Sequence, residues 1–452
     1  MLPGIGGPFR GHRAEFDQDA VSNGDRGAIH WSTGPKAAEG NGERRAIDMK
    51  HALSEAALPR GFRFAATACG LKKTGALDLA ILSSDVPASA AAVFTQNLVV
   101  AAPVLISKEN LRASKGRMRA VIVNAGNANC ATGAQGHAAA TRTVFETAKR
   151  LGCAPQEVFV CSTGVIGVQL PLEKILRALP VIARHRRASA RSFAETSLAI
   201  CTTDTRPKTA AASFKMAGKR IHLVGCAKGA GMIHPNMATM LAFVATDAAI
   251  APSLLQKTLR EVTGRTFNAI SVDGDTSTND TLLVLANGEA SAPSIKSGTS
   301  AHRKFTAALE EVCRSLALQI VADGEGAQRV IEIEVRHAKT EAAAKKIAET
   351  IATSPLVKTA FAGGDPNWGR IFAAAGRAGV GFDTSLVDIK MAGVPVLRRG
   401  QPLDFNERAA SNRLLGEHVP LVVDLHAGKA SARYWTCDFT AEYVRINASY
   451  RT

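Results

Sequence analysis

The residues best suited to chemistry lie in one segment, Lys228-Gly229-Ala230-Gly231-Met232-Ile233-His234-Pro235-Asn236-Met237-Ala238-Thr239-Met240-Leu241. Two glycines and a proline give the chain a tight, conformationally unusual approach. A continuous apolar run, Met240 to Ala245, follows at once and reads as a buried strand. A threonine at the mouth of such a strand has a fixed backbone and a stiff χ1, so Thr239 is a good mount for a nucleophile. The same residues also fit an ordinary turn entering a strand. Taken alone, they leave both readings open. A hydroxyl–imidazole dyad with His234, five residues earlier, is the weaker idea.

Other strings that resemble sites fail on spacing. Gly229-Ala230-Gly231 lacks the rest of a dinucleotide fingerprint, and no phosphate-loop GxxxxGK[ST] occurs. Asp273-Gly274-Asp275 with Ser277 and Asn279 suggests calcium, but position twelve of an EF-hand should be Glu and is Val284. A polar loop that positions the active site is the better reading. The eight cysteines form no CxxC pair and no metal-ligand spacing with His. Small buried thiols in a reducing cytoplasm are expected, with no metal and no tightly bound cofactor.

Alternating extended and helical segments must position these residues. Ala120–Val123 is a short apolar run that leads into a Gly/Asn-rich loop at Asn124–Asn129. A helix is predicted over Gly136–Leu151, with Phe145 and Ala148 on one side, and another over Leu172–His185. Cys161-Ser162-Thr163-Gly164 is predicted to be a loop after Val158–Val160. Ser253–Arg265 and the spacing of Phe305, Leu309, Val312 and Leu316 predict two further helices. Ile331, Ile333 and Val335 alternate with Glu332, Glu334 and Arg336, as in a strand with one wet face. Val419, Leu421, Val423 and Leu425 predict a second. Ala-rich helices covering stacked sheets would bury these faces, which favours a layered α/β architecture.

Composition narrows the function class. The chain has 452 residues, 46% of them hydrophobic, enough for a large core or two lobes. No apolar run approaches the roughly 20 residues that span a bilayer, so no membrane partner is expected. The net charge of +16 comes from scattered Lys and Arg, whose densest runs (Arg184–Arg191, Arg398 and Arg399) are short. A nucleic-acid binder would cluster them; here they make a solvated surface that can gather small carboxylate substrates. Residues 1–48 are rich in Gly and charge, with no apolar period, and read as a disordered extension.

The segment around Thr239 resembles the cleavage signature of the ornithine acetyltransferase family, the glutamate N-acetyltransferases. The likeness is not confined to it. Phe94-Thr95-Gln96-Asn97 with Ala101-Ala102-Pro103, Asn124–Gly133, Cys161–Gly167, Thr202–Thr205, Ser271–Leu282, Asp323–Gly326 and Gly364–Ile371 resemble family motifs in the family's order. The match runs from about Leu58 to Thr452. Many relatives carry Ser where this chain has Ala230, and Ala also occurs at the position of His234.

The resemblance implies an autoproteolytic, threonine-nucleophile α/β protein, a layered α-β-β-α sandwich with two stacked sheets and two lobes. It implies self-cleavage between Ala238 and Thr239, giving an α chain (49–238) and a β chain (239–452) in an α₂β₂ assembly. Thr239 would then carry acetyl from N2-acetylornithine to glutamate, with acetyl-CoA as a further donor in some members. Thr163 and Gly164 match the oxyanion pair. Thr202, Lys228, Thr239, Glu325, Asn447 and Thr452 match substrate-binding positions. A self-cleaving aminopeptidase of similar fold, passing the acyl group to water, is the nearest alternative.

Overall fold

The computed structural model describes residues 54–234 and 240–449. The expectations for residues 1–48, for the Ala238-Thr239 bond and for Thr452 lie outside them.

The first lobe opens with β1 (Phe62–Thr67), β2 (Leu79–Phe94), α1 (Ala102–Ala113), β3 (Arg117–Asn127), α2 (Gly133–Leu151), β4 (Val158–Val165), α3 (Leu172–Arg184) and α4 (Ala190–Ala199). It continues through β5 (Lys208–Met216), β6 (Lys219–Lys228), β7 (Leu241–Thr246), α5 (Pro252–Arg265), β8 (Ile270–Ser271), β9 (Thr281–Ala286) and α6 (Ser300–Ala322). The second lobe holds β10 (Val330–Ala338), α7 (Glu341–Ala352), α8 (Pro355–Ala362), α9 (Trp368–Gly376), β11 (Asp388–Met391), β12 (Val394–Arg398) and β13 (Gln401–Pro402). It ends with α10 (Glu407–Leu414), β14 (His418–Asp424), β15 (Ala430–Cys437) and α11 (Ala441–Ser449).

Among the described residues, eight strands make one mixed sheet in the order β4-β3-β2-β9-β7-β6-β5, with β1 also on β2. The long β2 is its hinge: Leu79–Ser83 pair with β3, the register shifts between Ser83 and Ala88, and Ser89–Phe94 pair with β9. Laid flat, β4 and β6 would stand five strand spacings apart, about 24 Å. Yet Lys228 Nζ at the end of β6 lies 3.3 Å from Thr163 Oγ1 on β4. The sheet therefore folds back on itself.

The core shows the resulting layers. Phe62, Leu82, Val121, Phe159, Cys226, Phe243 and Leu283 meet between the two halves of the folded sheet. Outside one half, Ala140 and Val144 of α2 and Ile175 and Leu179 of α3 pack on Ile81, Ile122 and Val160. Outside the other, Leu255 and Leu259 of α5 and Leu309, Val312 and Leu316 of α6 pack on Leu223, Val244 and Val284. This is the expected α-β-β-α stack.

Among the described residues the second sheet has seven strands, β13-β12-β11-β14-β10-β15-β8, and draws β8 from the first lobe. Ile331, Ile333, Val335, Val419, Leu421 and Val423 point into the same core as α6 and α7. Each such side chain contributes roughly 1.5–3 kcal/mol by leaving water. Glu332 and Glu334 face outward toward Arg433, the wet face that the alternation predicted.

Three local expectations need correction. Cys161–Gly164 is no loop, because β4 runs to Val165. The Gly/Asn-rich stretch is also strand as far as Asn127, since β3 and β4 stay paired while Ser162 Oγ donates to Asn124 Oδ1 at 2.6 Å. Phe145 does not share the buried side of α2. That face is filled by small residues, and Phe145 stays 48% exposed with the Arg142 guanidinium over its ring.

Candidate active site

Where β4 and β6 converge, a cleft opens with about 870 Å³ of empty volume, including space open to solvent. That suits an amino-acid-sized ligand. Thr163, Gly164, Thr202, Lys228, Glu325 and Asn447, predicted far apart in sequence, all line it. Met232, Ile233, Met240 and Leu241 line it too, so residues on both sides of 235–239 face this space.

Gly164 has a backbone that requires glycine. Its φ is +133°, and a Cβ there would lie 2.4 Å from the Gly126 carbonyl carbon on β3. Thr163 beside it accepts a hydrogen bond from Lys228 Nζ. A hydroxyl oxygen that accepts from an ammonium keeps its own O–H for donation. Lys228, itself 9% exposed, thus presents a positive charge to the cleft next to a hydroxyl donor.

A buried charge network, not anticipated from the sequence, holds this arrangement. Lys208 is fully buried and donates to Asp204 Oδ1 at 2.6 Å and Asp323 Oδ2 at 2.5 Å. Asp204 also accepts from the Gly229 N–H at 2.6 Å and, through Oδ2, from the Thr202 N–H at 2.9 Å. One carboxylate so fixes the backbone at Thr202 and at the residue after Lys228. Asp323 takes the Thr205 N–H and hydroxyl, tying the same loop to the one that carries Glu325. Burial opposes both kinds of charge. The ammonium groups of Lys228 and Lys208, with the Gly229 N–H, nevertheless hold Asp204 below the usual carboxylate range. Asp204 and Asp323 in turn overcome burial and hold Lys208 above its ordinary value. The only sequence signal was a Lys four residues after an Asp.

Glu325 is held at three points. Its N–H donates to the Ala230 carbonyl at 2.9 Å, its Oε2 accepts from Asn447 Nδ2 at 2.9 Å, and its carboxylate packs on Gly231. Asn447 and Tyr443 both come from α11, so the last helix closes one side of the cleft.

Asp273 grips the chain just before residues 235–239. Its carboxylate accepts from the N–H groups of Met232 at 2.6 Å and Ile233 at 2.8 Å. Met232 sits at φ +56°, a strained value for a non-glycine residue. Burial lifts the Asp273 carboxyl above its ordinary range despite the backbone donors of Ile233, Asp275 and Met232. The polar loop is thus a positioning device, as its sequence suggested. His234 turns elsewhere: its Nε2 lies 3.2 Å from Glu349 Oε1, and its Nδ1 lies 3.3 Å from Ser271 Oγ.

Residues 63–452 match the ArgJ family along their whole length. The chain belongs to the ArgJ family. Among its ArgJ relatives, the arginine biosynthesis bifunctional protein of Thermus thermophilus is 48% identical over 395 residues, covering 87% of this chain and 99% of its own. The protein of the same name from Dehalococcoides mccartyi is 47% identical over 396 residues, covering 87% and 96%. A crystal structure of the ArgJ protein from Bacillus halodurans is 42% identical, covers 46% of this chain and 98% of that one, and has a TM-score of 0.45. Among the described residues, no helix is long and apolar enough to cross a membrane.

Proposed function

We propose that this chain is the acetyltransferase of arginine biosynthesis that moves acetyl from N2-acetylornithine to glutamate. One observation carries the reading: Thr163, Gly164, Thr202, Lys228, Glu325 and Asn447 surround a single cleft bordered by the residues on either side of 235–239. Thr239 is the nucleophile. Its hydroxyl first attacks the Ala238 carbonyl; the Ala238–Thr239 C–N bond breaks as the ester forms, which frees the α-amino group, and hydrolysis of that ester by water frees the hydroxyl. That amine has an ordinary pKa of roughly 7.7–8.0, close enough to neutrality to act as the base.

In the first half-reaction Thr239 Oγ attacks the acetyl carbonyl of N2-acetylornithine and its proton passes to the α-amine. Thr163 and the Gly164 N–H stabilise the oxyanion. Collapse breaks the C–N bond, the amine returns the proton to the leaving nitrogen, and ornithine departs. Glutamate then attacks acetyl-Thr239 through its amine; the ester C–O bond breaks, a proton returns to Thr239 Oγ by way of the α-amine, and N-acetylglutamate leaves. Lys228 meets the substrate α-carboxylate, Glu325 the δ-ammonium of ornithine, and Thr202, Asn447 and Thr452 supply hydrogen bonds. The transfer uses no bound cofactor. Relatives named as bifunctional support a second donor, which we assign as acetyl-CoA. A cytoplasmic α₂β₂ enzyme completes the proposal. The aminopeptidase reading is not favoured, because relatives sharing 47% and 48% of their residues are named for arginine biosynthesis.

The test is the intact mass of the denatured protein with N-terminal sequencing, followed by initial-rate kinetics. Two fragments, one beginning at Thr239, and parallel double-reciprocal lines are expected. A single 47.4 kDa chain that still transfers acetyl would overturn the mechanism.

A further inference from the structure

At one end of the second sheet, three neighbouring strands bring together side chains that the acetyl-transfer chemistry does not use. Asp388 begins β11 and stands directly opposite Asp424 at the end of β14. Arg336 of β10 is the residue paired with Asp424 on its other side, and His337 follows it. The β10–β15 register shifts between Val335 and Ala338, a bulge that re-aims His337. His426 lies two residues beyond Asp424.

The donor atoms converge. His337 Nδ1 is 2.8 Å from Asp424 Oδ1 and 2.8 Å from Oδ2. His426 Nδ1 is 3.6 Å from the same Oδ1. One donor from each of the three residues lies within 4.8 Å of the others. Ligands on a four-coordinate zinc are spaced about 3.3 Å apart, given bonds of roughly 2.0–2.1 Å; the two separations to Asp424 Oδ1 bracket that value, and the third closes on it from within 4.8 Å. The far nitrogen of His426, Nε2, is 3.1 Å from Asp388 Oδ2, the carboxylate-behind-histidine arrangement that orients metal ligands. Two carboxylates directly opposite on adjacent strands repel each other, and a cation between the histidines relieves this. The Arg399 N–H, His426 and the Arg398 charge already favour the Asp388 carboxylate, and Arg336 lies beside Asp424, so an ion would add to these rather than stand alone. His337 at φ +50° and His426 at φ +48° are both held in the left-handed region. None of the four residues lines the cleft.

We propose that His337 Nδ1, Asp424 and His426 Nδ1 form a divalent transition-metal site of zinc type, with water as fourth ligand and Asp388 as the outer partner. The ion staples the ends of β10 and β14 and, through Asp388, β11. Two imidazoles and one carboxylate select a borderline metal over calcium or magnesium, which take all-oxygen shells. The sequence hides the set because its members come from 337, 388 and 424–426.

Untagged full-length protein, dialysed against chelator, is titrated calorimetrically with zinc chloride, with cobalt absorption as the spectroscopic readout. One saturable site per chain is expected, with cobalt bands free of thiolate charge transfer. His337→Ala and His426→Ala should abolish it, and Asp388→Asn should weaken it about 10–100-fold. All three variants should keep the far-UV circular dichroism and the acetyl-transfer rate of the parent. Absence of saturable zinc binding, or undiminished affinity in the folded double histidine variant, overturns the site.

Discussion

Gly231 runs so close to Glu325 that a Cβ on the glycine would lie 2.4 Å from Glu325 Oε2. Bare backbone is therefore what lets the carboxylate reach the cleft. Gly231→Ala should push Glu325 off its bond to Asn447. The expected result is a KM for N2-acetylornithine raised roughly tenfold, about 1.4 kcal/mol, with a smaller change in kcat, measured by steady-state kinetics.

Thr163→Val keeps the shape of the side chain and removes its hydroxyl. An oxyanion donor acts on the transition state, so kcat should fall about 10²–10³-fold while KM stays nearly constant. A rise in KM alone would assign Thr163 to ground-state binding.

Lys208→Met leaves Asp204 and Asp323 facing each other without their ammonium. Removing one member of a buried ionic cluster typically costs about 3–5 kcal/mol. Urea denaturation should show that loss. Any folded variant should bind substrate more weakly, because Thr202 and Gly229 lose the carboxylate orientation that fixes them.

Glu349 gives a pH test. The hydrogen bond from His234, helped by the Lys346 ammonium and opposed by burial, lowers its pKa from 4.5 to about 2. A depressed carboxyl contributes stability that is present above 4.5 and lost as pH falls through 2. Urea midpoints should therefore drop across that window in the parent, and less steeply in Glu349→Gln. Identical slopes would remove the pair from the stability account.

Short-range patterning carried much of the fold. The alternation at Ile331, Ile333 and Val335 and the helical spacing of Phe305, Leu309, Val312 and Leu316 each set a buried face that the structure keeps. It failed where polar residues satisfy one another. Cys161–Gly164 reads as loop because Ser and Thr crowd it, yet Ser162 is buried against Asn124 and Asn279 from distant segments. At the site, family likeness named residues that line the cleft, but in the Asp204–Lys208–Asp323 network the Lys208–Asp323 bond joins residues 115 apart. No local period encodes such a contact.

The strand order has a mechanical consequence. β9 and β7 lie side by side, with β2 on one flank and β6 on the other. A backbone opened between Ala238 and Thr239 would leave β2 and β6 in the leading piece and β7 and β9 in the trailing one. The first would clasp the second like two hands around a card. Neither half could leave without breaking ladders on both sides, so the nicked protein should unfold as one cooperative body. Halves of two differently labelled preparations of the nicked protein should not exchange until that body is melted.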